Sequence, residues 1–233
     1  MNDARKLLAQ LFPAGHTIEF GDLFLSGTGT VDGERVAVLG LTDAAAIGVE
    51  LAHRMAGAVL RVVRDHPRRP ILLLVDTSGQ RLSRRDELLG INAYLAHLAQ
   101  SFEVARRAGH RIVGLVYSQA VSGGFLASGL LADACYALPD AEVRVMNLAA
   151  MARITKIPVE RLEALSKSSP VFAPGVENYL RMGAIEGVWT GDLAACLSQA
   201  LRAPLTSDVR RERGETRGGR LLARAVAERV RRD

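Results

Sequence analysis

The sequence predicts an α/β protein organised around parallel strands, and two segments carry that prediction. Ile71 to Val75 (ILLLV) and Ile112 to Tyr117 (IVGLVY) are short, continuous apolar runs rich in branched residues, as expected for strands buried on both faces. Each runs into a small, glycine-containing turn, Asp76-Thr77-Ser78-Gly79-Gln80 in the first case and Ser122-Gly123-Gly124 in the second, and a helical segment follows each turn. Two parallel strands ending this way place two loops at one edge of a sheet, where open α/β folds bind their ligands.

The remaining elements follow in chain order. Residues 1–16 read as a short helix with a Pro-Gly end. From Ile18 to Leu41 the weak alternation, with Gly27-Thr28-Gly29 and Asp32-Gly33 as turns, reads as a β meander. Thr42-Asp43 is expected to cap a long helix reaching about Asp65, with Ile47, Leu51, Val59 and Val62 on its apolar face. After the first glycine turn, Leu88, Ile91, Leu95, Leu98 and Phe102 are spaced three and four apart, which predicts one amphipathic helix with Asp86-Glu87 in its first turn. Phe125 to Ala132 is small and apolar, suiting a helix on the sheet; Cys135 to Leu138 and Glu142 to Met146 are short strand candidates parted by Pro139-Asp140. Helical segments fill much of 148–200, interrupted at Pro158, Pro170 and Pro174.

Composition narrows the class. A chain of 233 residues with 48% hydrophobic content suits one large domain, taken as residues 1–203, with an Arg-rich helical tail over 204–233. The tail holds nine arginines and five carboxylates, so it supplies +4 of the net +5 and leaves the body near neutral. With no recognition motif or aromatic stacking set beside it, that charge does not predict nucleic-acid binding. The two cysteines, Cys135 and Cys196, form no metal-ligand spacing, and the five histidines form no close ligand pair. No signal peptide or membrane-length apolar run is present, so a reduced, cytoplasmic protein without metal or membrane association is expected.

The second glycine turn is the strongest chemical signal. Two successive residues without Cβ let a ligand approach the backbone, and N–H groups opening a helix lack partners and favour negative charge. Gly123 and Gly124 are therefore candidate oxyanion donors. The loop Thr77-Ser78-Gly79 is the candidate for a second donor, with Ser78 and Gly79 named for it. Close helix–strand packing would also call for small residues there.

The order of these elements, together with Val75-Asp76-Thr77-Ser78-Gly79, Ser118 to Gly129 (SQAVSGGFLASG), Val143 to Lys156 (VRVMNLAAMARITK) and Gly183 to Trp189 (GAIEGVW), resembles the crotonase superfamily. Within it the chain is similar to the carboxyltransferase branch, and most of all to gamma subunits of biotin-independent malonate decarboxylases. The resemblance implies a spiral of repeated ββα units with flanking helices. It also implies loss of CO₂ from a malonyl thioester, leaving an enolate whose charge gathers on the thioester oxygen. Each well-aimed backbone donor is then worth roughly 3–4 kcal/mol. Ser122 and an apolar wall of Ala120, Val121 and Phe125 would border the substrate, and Arg153 and Lys156 would meet its carboxylate or the phosphates of a carrier arm. Tyr117, Ser118, Gln119 and Ser122 are all open as proton donors to the carbanion.

The same resemblance implies partners: a beta subunit of the same fold, an acyl-carrier subunit bearing a phosphopantetheine-type arm, and an acyltransferase subunit. No cofactor is expected on this chain, and no biotin. Four other readings stand beside this one. A lone acyl-CoA hydratase or isomerase would need a carboxylate near the turns, and residues 76–85 offer only Asp76, which reads as ordering its own turn. A Clp-type peptidase using Ser122 or Ser128 would need a later histidine, and none follows His110. A non-catalytic subunit whose glycine turn only packs is the third, and an acyl-CoA carboxyltransferase subunit is the nearest relative in chemistry.

Overall fold

Both apolar runs are adjacent parallel strands at the centre of the sheet. The computed structural model describes residues 2–146, 148–167, 174–204, 208–219 and 222–232. Helix α1 (Asn2–Leu11) precedes an antiparallel meander of β1 (His16–Phe20), β2 (Phe24–Val31) and β3 (Glu34–Leu41). Asp32 and Gly33 close the second hairpin with φ of 50° and 83°, the left-handed pair a two-residue turn needs. Then come β4 (Ala46–Ile47), α2 (Val49–Asp65), β5 (Ile71–Thr77), β6 (Gly79–Gln80), α3 (Arg84–Leu88), α4 (Ile91–Arg107) and β7 (Ile112–Val121). Beyond β7 lie α5 (Ser122–Leu126), a 3-10 turn (Gly129–Leu131), β8 (Ala134–Ala137) and β9 (Glu142–Arg144). The chain continues through α6 (Leu148–Thr155), α7 (Val159–Ser166), α8 (Val176–Arg181), β10 (Gly187–Val188), α9 (Leu193–Arg202), α10 (Arg210–Thr216) and α11 (Ala223–Arg232).

The main sheet runs β1-β2-β3-β5-β7-β8-β10, with β9 also on β7, while β4 and β6 pair with each other apart from it. Strand, short strand and helix thus recur as β3-β4-α2 and as β5-β6 followed by α3 and α4. Side-chain alternation sorts the core into two layers. Ile71, Leu73 and Val75 of β5 face α2 and α4, whereas Leu72 and Leu74 face the layer of α1, α9 and Trp189. All five are fully buried.

Three expected boundaries move. The long helix begins at Val49, because Thr42 to Ile47 form a turn and β4; Asp43 and Ala44 take φ of 56° and 51° there. The helix expected from Leu88 to Phe102 is two helices, broken at Gly90 (φ 75°), which leaves Leu88 exposed while Ile91, Leu98 and Phe102 are buried. The helix expected over Phe125 to Ala132 stops at Leu126, where Ser128 Oγ turns back to donate to Gly124 O at 2.6 Å. Pro158 caps α7; Pro170 lies outside the described residues.

The arginine-rich tail is half integral to the body. Arg210 donates to Leu130 O and Ala132 O, and Arg217 donates to the carbonyls of Leu180, Ile185 and Glu186. Arg213 pairs with Glu186. These guanidinium forks satisfy carbonyls left over where the 3-10 turn and α8 end. Helix α11 by contrast buries none of its residues.

The two cysteines are both free and differ in burial. Burial pushes the Cys135 thiol up to about 12, so almost no thiolate forms at neutral pH. Alkylation of the native protein at pH 8 is therefore expected to modify Cys196 and spare Cys135, and full labelling of both within minutes would contradict the buried position of β8.

Candidate active site

The parallel pairing of β5 with β7 brings the two turns together. Thr77 lies opposite Ala120 across the ladder, after a register shift between Val75 and Thr77, while β7 runs on beside β9 to Val121. Asp76, buried at this edge, does more than order its own turn. Its carboxylate accepts from Ala44 N at 2.9 Å and from Gln119 N at 3.3 Å, tying the turn before β4 to the end of β7.

At the end of β7 the chain reverses sharply. Ser122 adopts φ 49°, in the left-handed region that only a constrained turn imposes on a residue with Cβ. Gly123 and Gly124 then open α5, whose first-turn N–H groups have no acceptor within their own helix. Because α5 has five residues, these N–H groups act as local donors with little macrodipole behind them. The two glycines differ. A Cβ on Gly124 would lie 2.7 Å from Thr77 Oγ1 and 2.9 Å from both the Cα and the carbonyl carbon of Gly79, so only glycine lets α5 seat against the first turn. A Cβ on Gly123 would meet nothing closer than Gln80 Oε1 at 3.6 Å, so this residue faces the more open side.

The expected second donor is already engaged. Ser78 N donates to the carbonyls of Ala44 and Ala45 at 3.3 and 3.2 Å, and Gly79 N donates to Thr77 Oγ1 at 3.0 Å. Thr77 Oγ1 in turn donates to Ala45 O at 2.6 Å. Gly79 takes φ 108°, a conformation that suits glycine, but its N–H is spent inside the turn. The first turn therefore acts as a wall that fixes Gly124.

Other expected residues separate in the same way. Ser122 is half-buried at the turn. Phe125 is 2% exposed and packs in the main core beside Tyr179 and Gly129, so it is not part of a substrate wall. Ala120 and Val121 are likewise buried. Arg153 and Lys156 are exposed on and just after α6, which packs on α7. Tyr117 donates its hydroxyl to Leu41 O at 2.9 Å, which removes it as a free proton donor. Ser128 is fully buried on Gly124 O, and His110 is buried at the other end of β7 with Nδ1 2.8 Å from Arg69 O, so no peptidase pair is assembled from them.

Sequence reasoning passed over Gln80, Arg81 and Asp86. Gln80 lies against Gly123 and donates its amide to Glu87 at 3.1 Å. Asp86 is completely buried and accepts from Arg81 Nε (2.6 Å), Arg81 Nη2 (2.8 Å), Val49 N (3.0 Å) and the Ser83 hydroxyl. The Arg81 guanidinium, then the Ser83 and Val49 donors, hold the Asp86 carboxyl well below the usual carboxylate range. A serine three residues ahead of an aspartate at a helix start was the available signal, but nothing local in sequence points that aspartate at Arg81.

No group of three or more histidines, cysteines or carboxylates poised for a metal occurs among the described residues, nor any helix there long and apolar enough to cross a membrane. The glycine turn lies apart from two hollows of the described surface. Neither the 870 Å³ groove between α1, the β2–β3 turn and α9 nor the 450 Å³ cleft beneath α10 is lined by it.

A spiral of ββα units with a free-backbone glycine turn at the end of a central strand defines a crotonase-type subunit of the carboxyltransferase kind. Transcarboxylase 12S shares that fold at a TM-score of 0.72 and 20% identity, over 85% of this chain and 41% of the other. The family profile described as malonate decarboxylase gamma subunit matches residues 42–233, and the chain belongs to that family. In a Pseudomonas malonate decarboxylase hetero-tetramer in complex with coenzyme A, one chain is 32% identical with a TM-score of 0.78, covering 99% of this chain and 97% of that one. A chain of the Pseudomonas MdcD-MdcE hetero-dimer matches at 30% identity and 0.77, covering 99% and 98%. The malonyl-S-ACP:biotin-protein carboxyltransferase MADD of Malonomonas rubra is 38% identical over 149 residues, 60% of this chain. The chain spans about half (51%) of that curated relative's length.

Proposed function

We propose that this chain pairs with a beta subunit to decarboxylate a malonyl thioester carried on the phosphopantetheine-type arm of an acyl-carrier subunit, giving an acetyl thioester and CO₂. A separate acyltransferase subunit would load the malonyl group, and this chain would hold neither biotin nor another cofactor of its own. The observation that carries the reading is the glycine turn: two first-turn N–H groups without helical acceptors, at the edge of the sheet, with Gly124 locked in place by Thr77 and Gly79. Those donors stabilise charge on the thioester oxygen as the C–C bond breaks, without any side chain titrating. Gly123, on the open side, is the nearer donor to substrate.

The need for a partner is supported by what the turn lacks. The thioester must be shielded from water, yet apolar residues beside the turn stay uncovered: Leu82 is 88% exposed, Leu88 77% and Leu126 58%. Assembly into a hetero-dimer or hetero-tetramer in the Pseudomonas relatives supports a beta chain as the cover. Arg153 and Lys156, exposed on the surface, are then free to meet the carrier arm or the partner.

A second reading is favoured by the Malonomonas relative, a carboxyltransferase to a biotin protein. One assay separates the two. CO₂ release from malonyl-CoA or a malonyl-carrier thioester is expected from this chain co-purified with its beta partner, unaffected by avidin, and absent from this chain alone. Acetyl thioester formed only when a biotin protein is added, with the carboxyl group recovered on that biotin and not as CO₂, assigns carboxyl transfer, and no release from a folded, assembled pair removes the decarboxylase reading.

A further inference from the structure

We infer that Arg81 is a positioning residue for the glycine turn, acting through β6 by gripping Asp86 across the start of α2. The inference rests on the decarboxylase reading for its kinetic consequence, but its geometry stands by itself. Strand β6 has only two residues and pairs only with the equally short β4, so its ladder fixes it weakly. Yet β6 includes Gly79, the wall on which Gly124 is seated. Arg81 follows at once and holds the segment twice. Its backbone N donates to Ile47 O at 2.9 Å, extending the ladder, and its side chain folds back over Gly48.

Gly48 has no room for a Cβ, which would lie 2.4 Å from Arg81 Cζ and Nε. From there the planar fork takes both oxygens of Asp86, while Nη2 also reaches Glu50 at 2.8 Å. Asp86 meanwhile accepts from Val49 N of α2 and from the hydroxyl of Ser83, the residue that caps α3 by accepting from Asp86 N. One guanidinium thereby joins the first turn of α2, β6 and α3. The fork is bidentate and flat against a glycine, a combination that a lysine ammonium does not reproduce. Removing it frees β6 to shift, and with it the aim of the Gly123 and Gly124 N–H groups, where a displacement of about 1 Å can cost on the order of a hundredfold in rate.

The test uses the full chain co-purified with its beta partner, as wild type, Arg81→Ala and Arg81→Lys. In Arg81→Ala, kcat for malonyl-thioester decarboxylation is expected to fall about 10- to 100-fold with KM changed less than about threefold. Millimolar guanidinium, filling the space between Gly48 and Asp86, is expected to restore kcat saturably, and Arg81→Lys is expected to remain impaired. Hydrogen exchange followed by mass spectrometry supplies a readout independent of activity: exchange over 77–81 and 122–126 rises in Arg81→Ala and returns toward wild type with guanidinium. Unchanged kcat, a loss that guanidinium leaves in place, or exchange at 122–126 that stays at the wild-type level each overturns the inference. A wild-type complex that releases no CO₂ fails the functional reading instead, and the exchange result then still decides whether Arg81 positions the turn.

Discussion

A complex carrying Gly124→Val is expected to turn over malonyl thioester at least about a hundredfold more slowly than wild type while the two chains still co-purify. The expectation follows from the space around Gly124. Its added Cβ would sit under 3 Å from Thr77 Oγ1 and the Gly79 backbone, which the Thr77 hydrogen bonds and the intact Arg81–Asp86 grip together hold, so α5 rather than the wall must move. The N–H groups at the head of α5 move with it. Gly123→Ala is the contrast, because its methyl would be in ordinary contact with Gln80 and nothing tighter. Its loss is expected to stay below about tenfold, which corresponds to less than roughly 1.4 kcal/mol of transition-state stabilisation. Steady-state kinetics of both variants, with assembly checked by gel filtration, decides the point. A Gly124→Val complex at near-normal turnover would remove the glycine turn from the reaction.

The largest effect on stability is expected from Asp86→Asn. Its carboxylate is completely buried and saturated by donors, so an amide in its place presents an NH₂ to groups that already donate. A fall in Tm of about 5–10 °C at neutral pH is expected. The pH dependence has a defined sign. Asp86 is held below the ordinary 3.8, so its contribution is complete above that value and is lost as pH falls from there toward the depressed folded value. The gap between wild type and Asp86→Asn is thus expected to be constant from about pH 5 to 8 and to narrow below about pH 4. Thermal melts across that range test it; an equal Tm at pH 7 would show that the network contributes nothing.

What the sequence made legible was what buried apolar runs and their turns make legible. β5 and β7 are read correctly because both faces are covered, leaving no polar position to blur the signal; in the meander Asp32-Gly33 is the expected turn, but Gly27-Thr28-Gly29 lies inside β2, paired with β1 and β3, where Gly27 lets β1 approach closely. The start of α2 was misplaced because Thr42-Asp43 has the chemistry of a cap, while the pairing that claims Ala46-Ile47 comes from Gly79-Gln80, more than thirty residues on. The helix after the second turn was overextended for a related reason. Small apolar residues fit a helix, but Phe125 presses on Gly129 and Ser128 bonds back to Gly124, so the chain tightens into a 3-10 turn. At the site, residue type located both turns and could not allocate their hydrogen bonds. Ser78 and Gly79 look like donors until Thr77 and the carbonyls of Ala44 and Ala45 are seen to take them.

The contacts of α10 bear on how the chain reaches this state during synthesis. The carbonyls that Arg210 and Arg217 occupy belong to residues 130–132 and 180–186, around the edge where β8 meets β10. A nascent chain emerging from its N-terminus can assemble the meander, β5 and β7 early, since their pairings with one another need nothing beyond residue 121. That edge stays unfastened until Arg217 has been made. A chain that has not yet reached Arg210 and Arg217 thus carries its strands with the β8–β10 side unclasped, so these two arginines set the order in which that side closes.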